Sequence, residues 1–277
     1  MPLSGIPDVT LNDGTTIPQL GFGVFRVPND EAAGAVATAL EVGYRAIDTA
    51  AYYKNEAGTG AAIAASGIRR QDLHITTKVW HTDLGFDSTL RAMDKSLAEL
   101  GLDYVDLYLI HWPVPSRDLY VDTWRAMEKL KSDGLARSIG VSNFPPLQID
   151  RLINETGAVP AVNQVELHPW LPQSAVREYD ARHGIATQAW SPLAHGQLVD
   201  DPVVSTIARR NGRTPAQVLL RWNLELGNVV VSKSVTPERI QSNMDVFGFD
   251  LAEDDRELLA SLDCGRRTGP DPDVYGA

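Results

Sequence analysis

Short apolar runs alternate along the chain with longer segments in which apolar residues recur every three or four positions. The runs are apolar at successive positions, which is typical of strands buried on both faces of a sheet. Eight runs therefore predict strands, at residues 20–24, 46–48, 74–79, 105–110, 138–141, 161–165, 185–190 and 229–232.

The segments between these runs predict helices. Residues 32–42 and 87–100 each place apolar side chains on one face, as a helix packed against a core requires. Residues suited to helix starts are Asp87, Ser88 and the pairs Thr214-Pro215 and Thr236-Pro237, in which a capping hydroxyl precedes a proline.

The regular alternation of strand and helix indicates an α/β fold, a closed (β/α)8 TIM barrel. We expect one domain over residues 1–277, with a tail at 264–277 near the barrel mouth. Two apolar pieces between Val9 and Ile17 flank Asn12-Asp13-Gly14, a turn sequence that predicts a β-hairpin. This hairpin is expected to cap the bottom of the barrel.

The competing architecture is an open, doubly wound sheet, which binds dinucleotides through G-x-G-x-x-G after its first strand. The chain offers Gly21 and Gly23, but Arg26 stands where the third glycine is needed. The barrel is therefore favoured.

The charge balance is acidic, with 25 basic and 36 acidic residues and a net charge of -11. Such a chain repels nucleic acid and anionic membrane surfaces, so neither is expected as a partner. The one cysteine, Cys264, excludes an internal disulfide and fits the reducing cytoplasm. Neither a signal-peptide pattern nor an apolar run long enough for a membrane span is present.

Barrel active sites form where the strands end. Three consecutive predicted strands end in or beside ionisable groups, Asp48, Lys78 and His111. Because buried charges need partners, Asp48 and Lys78 are expected to pair. The later strand ends carry further polar groups, which are Ser142, Asn143, Asn163, Gln164, Glu166, Ser191, Lys233 and Ser234.

Tyr52 and Tyr53 closely follow Asp48. An ammonium group beside a phenol favours the phenolate and lowers its pKa, which would make the tyrosine a better proton donor at neutral pH. With a neutral His111 nearby, either tyrosine could protonate a carbonyl oxygen. The spacings of zinc sites are absent. Because no side chain supplies hydride, a reduction would require a cofactor.

The last predicted strand leads into Lys233, Ser234 and a helix start, with Arg239 close behind. Helix N-termini attract anions, and barrels commonly bind phosphate after their last two strands. This cluster therefore predicts a phosphorylated ligand, and a 2′-phosphate would favour NADPH. Trp190 could stack on a nicotinamide ring. The residues able to hydrogen-bond the carboxamide of the nicotinamide are Ser142, Asn143 and Gln164.

Three segments resemble the signatures of the aldo-keto reductases. They are residues 43–50 (GYRAIDTA) with Tyr53, Asn55 and Glu56, residues 138–144 (SIGVSNF), and Lys233-Ser234 with Arg239 and Asn243. The resemblance covers nearly the whole chain, and it is strongest to the bacterial 2,5-diketo-D-gluconate reductase group. It implies a barrel enzyme that reduces aldehydes and ketones to alcohols with NADPH, and it implies a monomer.

The resemblance also implies a catalytic tetrad of Asp48, Tyr53, Lys78 and His111, and so it selects Tyr53 over Tyr52 as the acid. Lys78, anchored by Asp48, would keep the phenol acidic, and His111 would orient the carbonyl. The implied cofactor contacts are Ser142, Asn143, Gln164, Trp190, Ser191, Leu193, Lys233, Ser234, Arg239 and Asn243.

Aromatic residues after the strand ends, Phe25, Tyr52, Trp80 and Trp112, are expected to line the substrate pocket. Cations that could favour anionic keto acids or keto sugars are Arg26, His81, Arg266 and Arg267. Two other functions stay open. One is a class I aldolase that forms a Schiff base on Lys78; the other is an NADPH-binding sensor without turnover, against which the intact tetrad argues.

Overall fold

The computed structural model describes residues 5–276, and within them eight parallel strands close into a barrel. In order around the barrel they are β3 (Leu20–Gly23), β4 (Ala46–Asp48), β5 (His74–Val79), β6 (Val105–Ile110), β7 (Ala136–Ser142), β8 (Val162–Glu166), β9 (Ala186–Trp190) and β10 (Val229–Ser232). Pairing of β10 with β3 completes the ring, because Val230 lies opposite Leu20. The predicted (β/α)8 barrel is therefore confirmed.

Helices follow the strands around the ring. They are α1 (Asn29–Val42), α2 (Glu56–Ala65), α3 (Phe86–Leu100), α4 (Tyr120–Ser132), α5 (Pro146–Thr156), α6 (Ser174–Arg182), α7 (Pro202–Asn211), α8 (Pro215–Glu225), α9 (Pro237–Met244) and α10 (Glu253–Ala260). No helix within residues 5–276 has the length and apolarity needed to cross a membrane. Residues 1–4 and 277 of the predicted domain lie outside the described part of the chain.

Four of the eight predicted strands have the predicted bounds, and the others differ by one or two residues at one or both ends. The largest difference is in β7, which begins at Ala136 because Ala136 pairs with Val105 on β6. The charged Arg137 hid this start in the sequence pattern. Its guanidinium is accommodated by Asp106 on β6, at 3.4 Å.

The predicted helix cap at Thr214 is confirmed, whereas those at Asp87, Ser88 and Thr236 are not. Thr214 forms a capping box with Gln217 at the start of α8, as its sequence predicts. Asp87 and Ser88 do not cap α3: the N-cap is Gly85, and the Ser88 hydroxyl donates to the Leu84 and Gly85 carbonyls instead. Thr236 precedes α9 but makes no side-chain cap.

The predicted hairpin is present as β1 (Asp8–Thr10) and β2 (Thr16–Pro18), antiparallel strands joined by a turn at residues 11–15. Leu11 and Ile17 are buried against a cluster that includes Leu107 and Val229 of the barrel strands. The Asn12 amide also donates to the Pro160 carbonyl at 2.9 Å, just before β8. The hairpin thus closes the barrel at the end where the strands begin.

Asp180 is a carboxyl that is buried away from the barrel mouth. Asp180 on α6 is fully buried and accepts hydrogen bonds from Thr187 Oγ1 at 2.9 Å and Asn163 Nδ2 at 3.4 Å. Burial raises its pKa to about 7, against the opposing effect of these two bonds. Because the folded state holds this proton more tightly than the unfolded chain, stability is lost as pH rises from about 4 to about 7.

Asp180→Asn should therefore stabilise the protein at alkaline pH, by up to about 4 kcal/mol. The gain should shrink toward zero below about pH 4, where Asp180 is protonated in both states. Urea unfolding at a series of pH values measures this, with Asp200→Asn as an exposed control. A gain that does not change with pH would contradict the assignment.

Candidate active site

The ends of β4, β5 and β6, which are neighbours in the barrel, bring the three predicted ionisable groups together. Asp48 is the last residue of β4, Lys78 lies near the end of β5, and His111 directly follows β6. Tyr53 lies in a short 3-10 turn, Ala51–Tyr53, that follows β4. All four residues of the predicted tetrad therefore lie at one side of the barrel mouth.

Lys78 is the centre of this group and is 0% exposed. Its Nζ donates to Asp48 Oδ1 at 2.5 Å and to the Thr49 carbonyl at 2.9 Å, and it lies 3.5 Å from the Tyr53 hydroxyl. Burial lowers the pKa of Lys78, and Asp48 opposes this shift. The expected Asp48–Lys78 pair is present, with the phenol at its edge.

The expected lowering of the Tyr53 pKa is wrong for this structure. Burial raises the pKa of Tyr53 well above its ordinary value, and the negative charge of Asp48 raises it further. The ammonium of Lys78 does not lower this pKa, because the carboxylate of Asp48 neutralises it at 2.5 Å. Tyr53 is therefore a protonated phenol at neutral pH, with a proton available to donate.

His111 is neutral, as expected. Burial holds its pKa well below the ordinary value, and the charges of Lys78 and His81 lower it further. Its ring lies edge-on to Tyr53, with centroids 5.6 Å apart. Among the described residues its buried Nδ1 has no hydrogen-bond partner.

The predicted carboxamide contacts lie on the adjacent side of the mouth and are held by one another. Gln164 Nε2 donates to Asp48 Oδ2 and to Gln188 Oε1, each at 2.8 Å. Asn143 Nδ2 donates to the His111 carbonyl at 2.9 Å, and the Ser142 hydroxyl donates to the Gln164 carbonyl at 2.8 Å. A hydrogen-bonded chain thus links these amides to the tetrad.

Trp190 ends β9 with its ring half-buried at the mouth. The indole N–H donates to Asn143 Oδ1 at 2.8 Å, which fixes one edge of the ring. Ser191 follows in a left-handed conformation, with φ 50°, and its hydroxyl lies 3.2 Å from the His195 ring. Leu193 is half-buried between two apolar clusters.

The predicted phosphate contacts lie after β10. Lys233 and Arg239 are exposed, and neither makes an ion pair with a described carboxylate. Burial and the nearby charge of Arg26 lower the pKa of Lys233. The Ser234 hydroxyl accepts from the Thr236 backbone N–H at 3.1 Å, and Asn243 is buried on α9.

Aromatic side chains surround Tyr53 and His111. Phe25 lies 5.0 Å from Tyr53 between ring centroids, and Tyr52 stacks on Trp80 at 3.8 Å. Trp112 is only 6% exposed, because Tyr275 of the tail stacks on it at 4.2 Å. Tyr275 thus adds a second aromatic ring beside Trp112.

Two of the four candidate cations for anionic substrates are engaged elsewhere. Arg266 donates to Gln197 Oε1 at 2.7 Å, and Arg267 lies 3.9 Å from Asp271. Arg26 lies over the Phe25 ring, at 5.1 Å from its centroid, and its guanidinium is exposed toward Lys233 and His195. His81 packs against Trp80, and burial lowers its pKa.

Sequence reasoning missed Gln188, His195 and Tyr275 as parts of this mouth. Gln188 stands two positions before the end of β9, and strand alternation places it on the same face as Trp190. That signal was available in the sequence. No such signal in the sequence pointed to Tyr275, because it follows no strand and reaches the mouth only through the path of the tail.

Residues 19–263 match the model of the aldo/keto reductase family. An aldo-keto reductase of Mycolicibacterium smegmatis is 56% identical over 97% of this chain and 98% of its own. The methylglyoxal reductase DkgA of Yersinia pestis is 50% identical over 98% of each chain. A crystal structure of a Gox0644 mutant in complex with NADPH has a TM-score of 0.94 and 44% identity, covering 98% of this chain and 99% of that one.

The chain belongs to the aldo/keto reductase family. It is therefore an oxidoreductase that acts on aldehyde and keto groups, which confirms the class predicted from the sequence. The family resemblance seen in the signature segments is confirmed as well.

The buried ion pair of Asp48 and Lys78 should contribute to the free energy of unfolding. Asp48→Asn removes the charge that compensates Lys78, and an uncompensated buried ammonium costs about 3–5 kcal/mol. Because burial lowers the pKa of Lys78, it can shed its proton at less cost as pH rises, and the loss should shrink as the pH approaches the ordinary pKa of lysine. Denaturant unfolding across this range measures the loss, and a loss that grows with pH would contradict the prediction.

Proposed function

We propose that this enzyme reduces small reactive carbonyl compounds with NADPH, and that Asp48, Tyr53, Lys78 and His111 carry the reaction. The observation that supports this most directly is the chain of contacts from Asp48 through Lys78 to the Tyr53 hydroxyl, beside a neutral His111. This arrangement holds a proton donor and a carbonyl-orienting group at one rim of the barrel.

The residues present fit NADPH. The half-buried indole of Trp190 offers a flat apolar surface, and the amides of Asn143 and Gln164 lie beside it. The exposed cations Lys233 and Arg239 make no ion pair within residues 5–276, so they are free to bind a 2′-phosphate. We propose that Ser142, Ser191, Leu193, Ser234 and Asn243 complete the binding site. NADPH, when bound, supplies the hydride.

In the proposed reaction, His111 hydrogen-bonds the carbonyl oxygen of the substrate through its ring. Tyr53 donates its proton to that oxygen as hydride reaches the carbonyl carbon. The resulting phenolate is stabilised by the ammonium of Lys78, which lies 3.5 Å away and is held in place by Asp48. The raised pKa of Tyr53 in the free enzyme means that the donor is almost fully protonated before the reaction begins.

An aldolase mechanism is not favoured by the position of Lys78. A Schiff base requires a free amine lone pair that can reach a substrate carbonyl. Lys78 Nζ is instead buried and surrounded by Asp48, Thr49 and Tyr53. The proposed tetrad likewise argues against a sensor without turnover.

We propose small dicarbonyls and keto sugars, including 2,5-diketo-D-gluconate, as the substrate class. The relative named methylglyoxal reductase reduces a dicarbonyl by its name, and it is 50% identical to this chain. The walls formed by Phe25, Tyr52, Trp80, Trp112 and Tyr275 would enclose a compact molecule. We further propose that the enzyme acts as a monomer in the cytoplasm, where the exposed Cys264 would stay reduced.

Tyr53→Phe removes the proton donor and should lower kcat by about 10²–10⁴-fold. NADPH binding should change little, because the ring itself is retained. The measurements are steady-state reduction of methylglyoxal and a fluorescence titration with NADPH. Tyr104→Phe, at the opposite end of the barrel, is the matched control. Unchanged turnover in Tyr53→Phe would remove Tyr53 from the proposed role.

The substrate proposal is tested by NADPH consumption with methylglyoxal, 2,5-diketo-D-gluconate and simple unactivated ketones. Because an adjacent carbonyl, carboxyl or hydroxyl group withdraws electrons from the reacting carbonyl, kcat/KM should be at least about tenfold higher for the dicarbonyls. Equal values for dicarbonyls and simple ketones would contradict the proposed class while leaving the reductase chemistry intact.

A further inference from the structure

A buried carboxylate at the barrel mouth is not used by the proposed reaction. Glu166 is the last residue of β8 and is 1% exposed. Burial raises its pKa, but hydrogen bonds from His168 and Thr268 outweigh this and hold the pKa at about 2. The side chain is therefore an anion at neutral pH in a site that has little access to water, which requires strong compensating contacts.

Most of those contacts come from the tail that follows α10. Glu166 Oε1 accepts from the Thr268 backbone N–H at 2.6 Å and from the Thr268 hydroxyl at 2.5 Å. Glu166 Oε2 accepts from the Gly269 backbone N–H at 3.1 Å. His168 Nε2 lies 3.0 Å from Oε1 on the other side. The carboxylate thus ties residues 268–269 to the end of β8.

The tail held in this way lies directly against Trp190. Glu166 and Trp190 are paired residues on the parallel strands β8 and β9. A Cβ atom at Gly269 would lie 2.4 Å from Trp190 Cη2, so any other residue at this point would force the tail and the ring apart. The opposite edge of the indole donates to Asn143 at 2.8 Å. The ring is therefore fixed at one edge by a hydrogen bond and at the other by the clamped backbone.

We propose that Glu166 is a positioning residue that fixes the Trp190 ring for NADPH by clamping the tail at Thr268 and Gly269. This inference rests on the proposed role of Trp190 in holding the nicotinamide. The energetic reason is preorganisation: a ring already held in its binding orientation loses less conformational entropy when the cofactor arrives. Charge-assisted hydrogen bonds make the clamp firmer than neutral ones would.

Two independent variants loosen the contact. Glu166→Gln removes the charge and one acceptor oxygen. Gly269→Ala keeps the Glu166 carboxylate but places a methyl group 2.4 Å from Trp190 Cη2 and 3.3 Å from Glu166 Oε2, which pushes the backbone away from both. Each should raise the Kd for NADPH by about 3- to 10-fold, the range expected for one aromatic contact. In a Trp190→Phe background the same changes should alter Kd by less than about twofold, because the ring they position is gone.

The matched control is Ser116→Ala, which removes the hydrogen bond from Ser116 to the Gly276 carbonyl farther along the same tail. It should leave the Kd for NADPH unchanged. Near-ultraviolet circular dichroism of the protein without cofactor gives a second readout. The part of the signal that Trp190→Phe abolishes should also decrease in Glu166→Gln and Gly269→Ala, because a mobile indole contributes little.

The outcomes separate the two proposals. If Trp190→Phe weakens NADPH binding but folded Glu166→Gln and Gly269→Ala bind as tightly as the unaltered enzyme, the clamp is refuted and the role of Trp190 stands. Tighter binding by these variants would show that the tail obstructs the cofactor, which also refutes the clamp. If Trp190→Phe itself has no effect, the role of Trp190 fails and the inference fails with it. Should Glu166→Gln not fold, Gly269→Ala decides.

Discussion

The mouth of this barrel is organised by a single buried ammonium group. Lys78 is fully buried, and removing its charge from water is costly unless acceptors surround it. Asp48 and the Thr49 carbonyl provide those acceptors. The second oxygen of Asp48 accepts from Gln164, which also donates to Gln188. The ion pair thus ties together the ends of four strands, β4, β5, β8 and β9, and the geometry of the mouth depends on it.

The same pair sets the character of Tyr53. A lone ammonium would lower the pKa of the phenol, but a neutralised one does not, and burial then dominates. The lysine therefore matters less for the resting enzyme than for the moment at which the phenol gives up its proton. At that moment the developing phenolate meets a positive charge already in place, which is the form of preorganised electrostatics that lowers a barrier.

Side chains from different parts of the chain form the two sides of the mouth around this ion pair. The hydrogen-bonded amides of Asn143 and Gln164 hold one side, and the aromatic rings of Tyr52 and Trp80 hold the other. The tail closes the remaining gap, because Glu166 attaches it at Thr268 and Tyr275 stacks on Trp112. A segment without regular structure is held here by a buried charge and by ring contacts.

The sequence by itself predicted the strands and the barrel, and it placed Asp48, Lys78 and His111 at one mouth. The choice of Tyr53 to complete the proposed tetrad came from the family resemblance. Strands buried on both faces are read from continuous apolar runs, and parallel strands in a barrel must all end at one mouth. The sequence could not predict helix α2, because the two glycines within it are poor helix formers. Gly60 is there because a Cβ would lie 2.1 Å from the Leu100 carbonyl, a contact that only tertiary packing creates. Nor could it determine the pKa of Tyr53 or the path of residues 264–276, because both depend on distances between groups far apart along the chain. Periodicity records how each segment buries its own side chains, whereas the compensation of one buried charge by another is decided only when the segments meet.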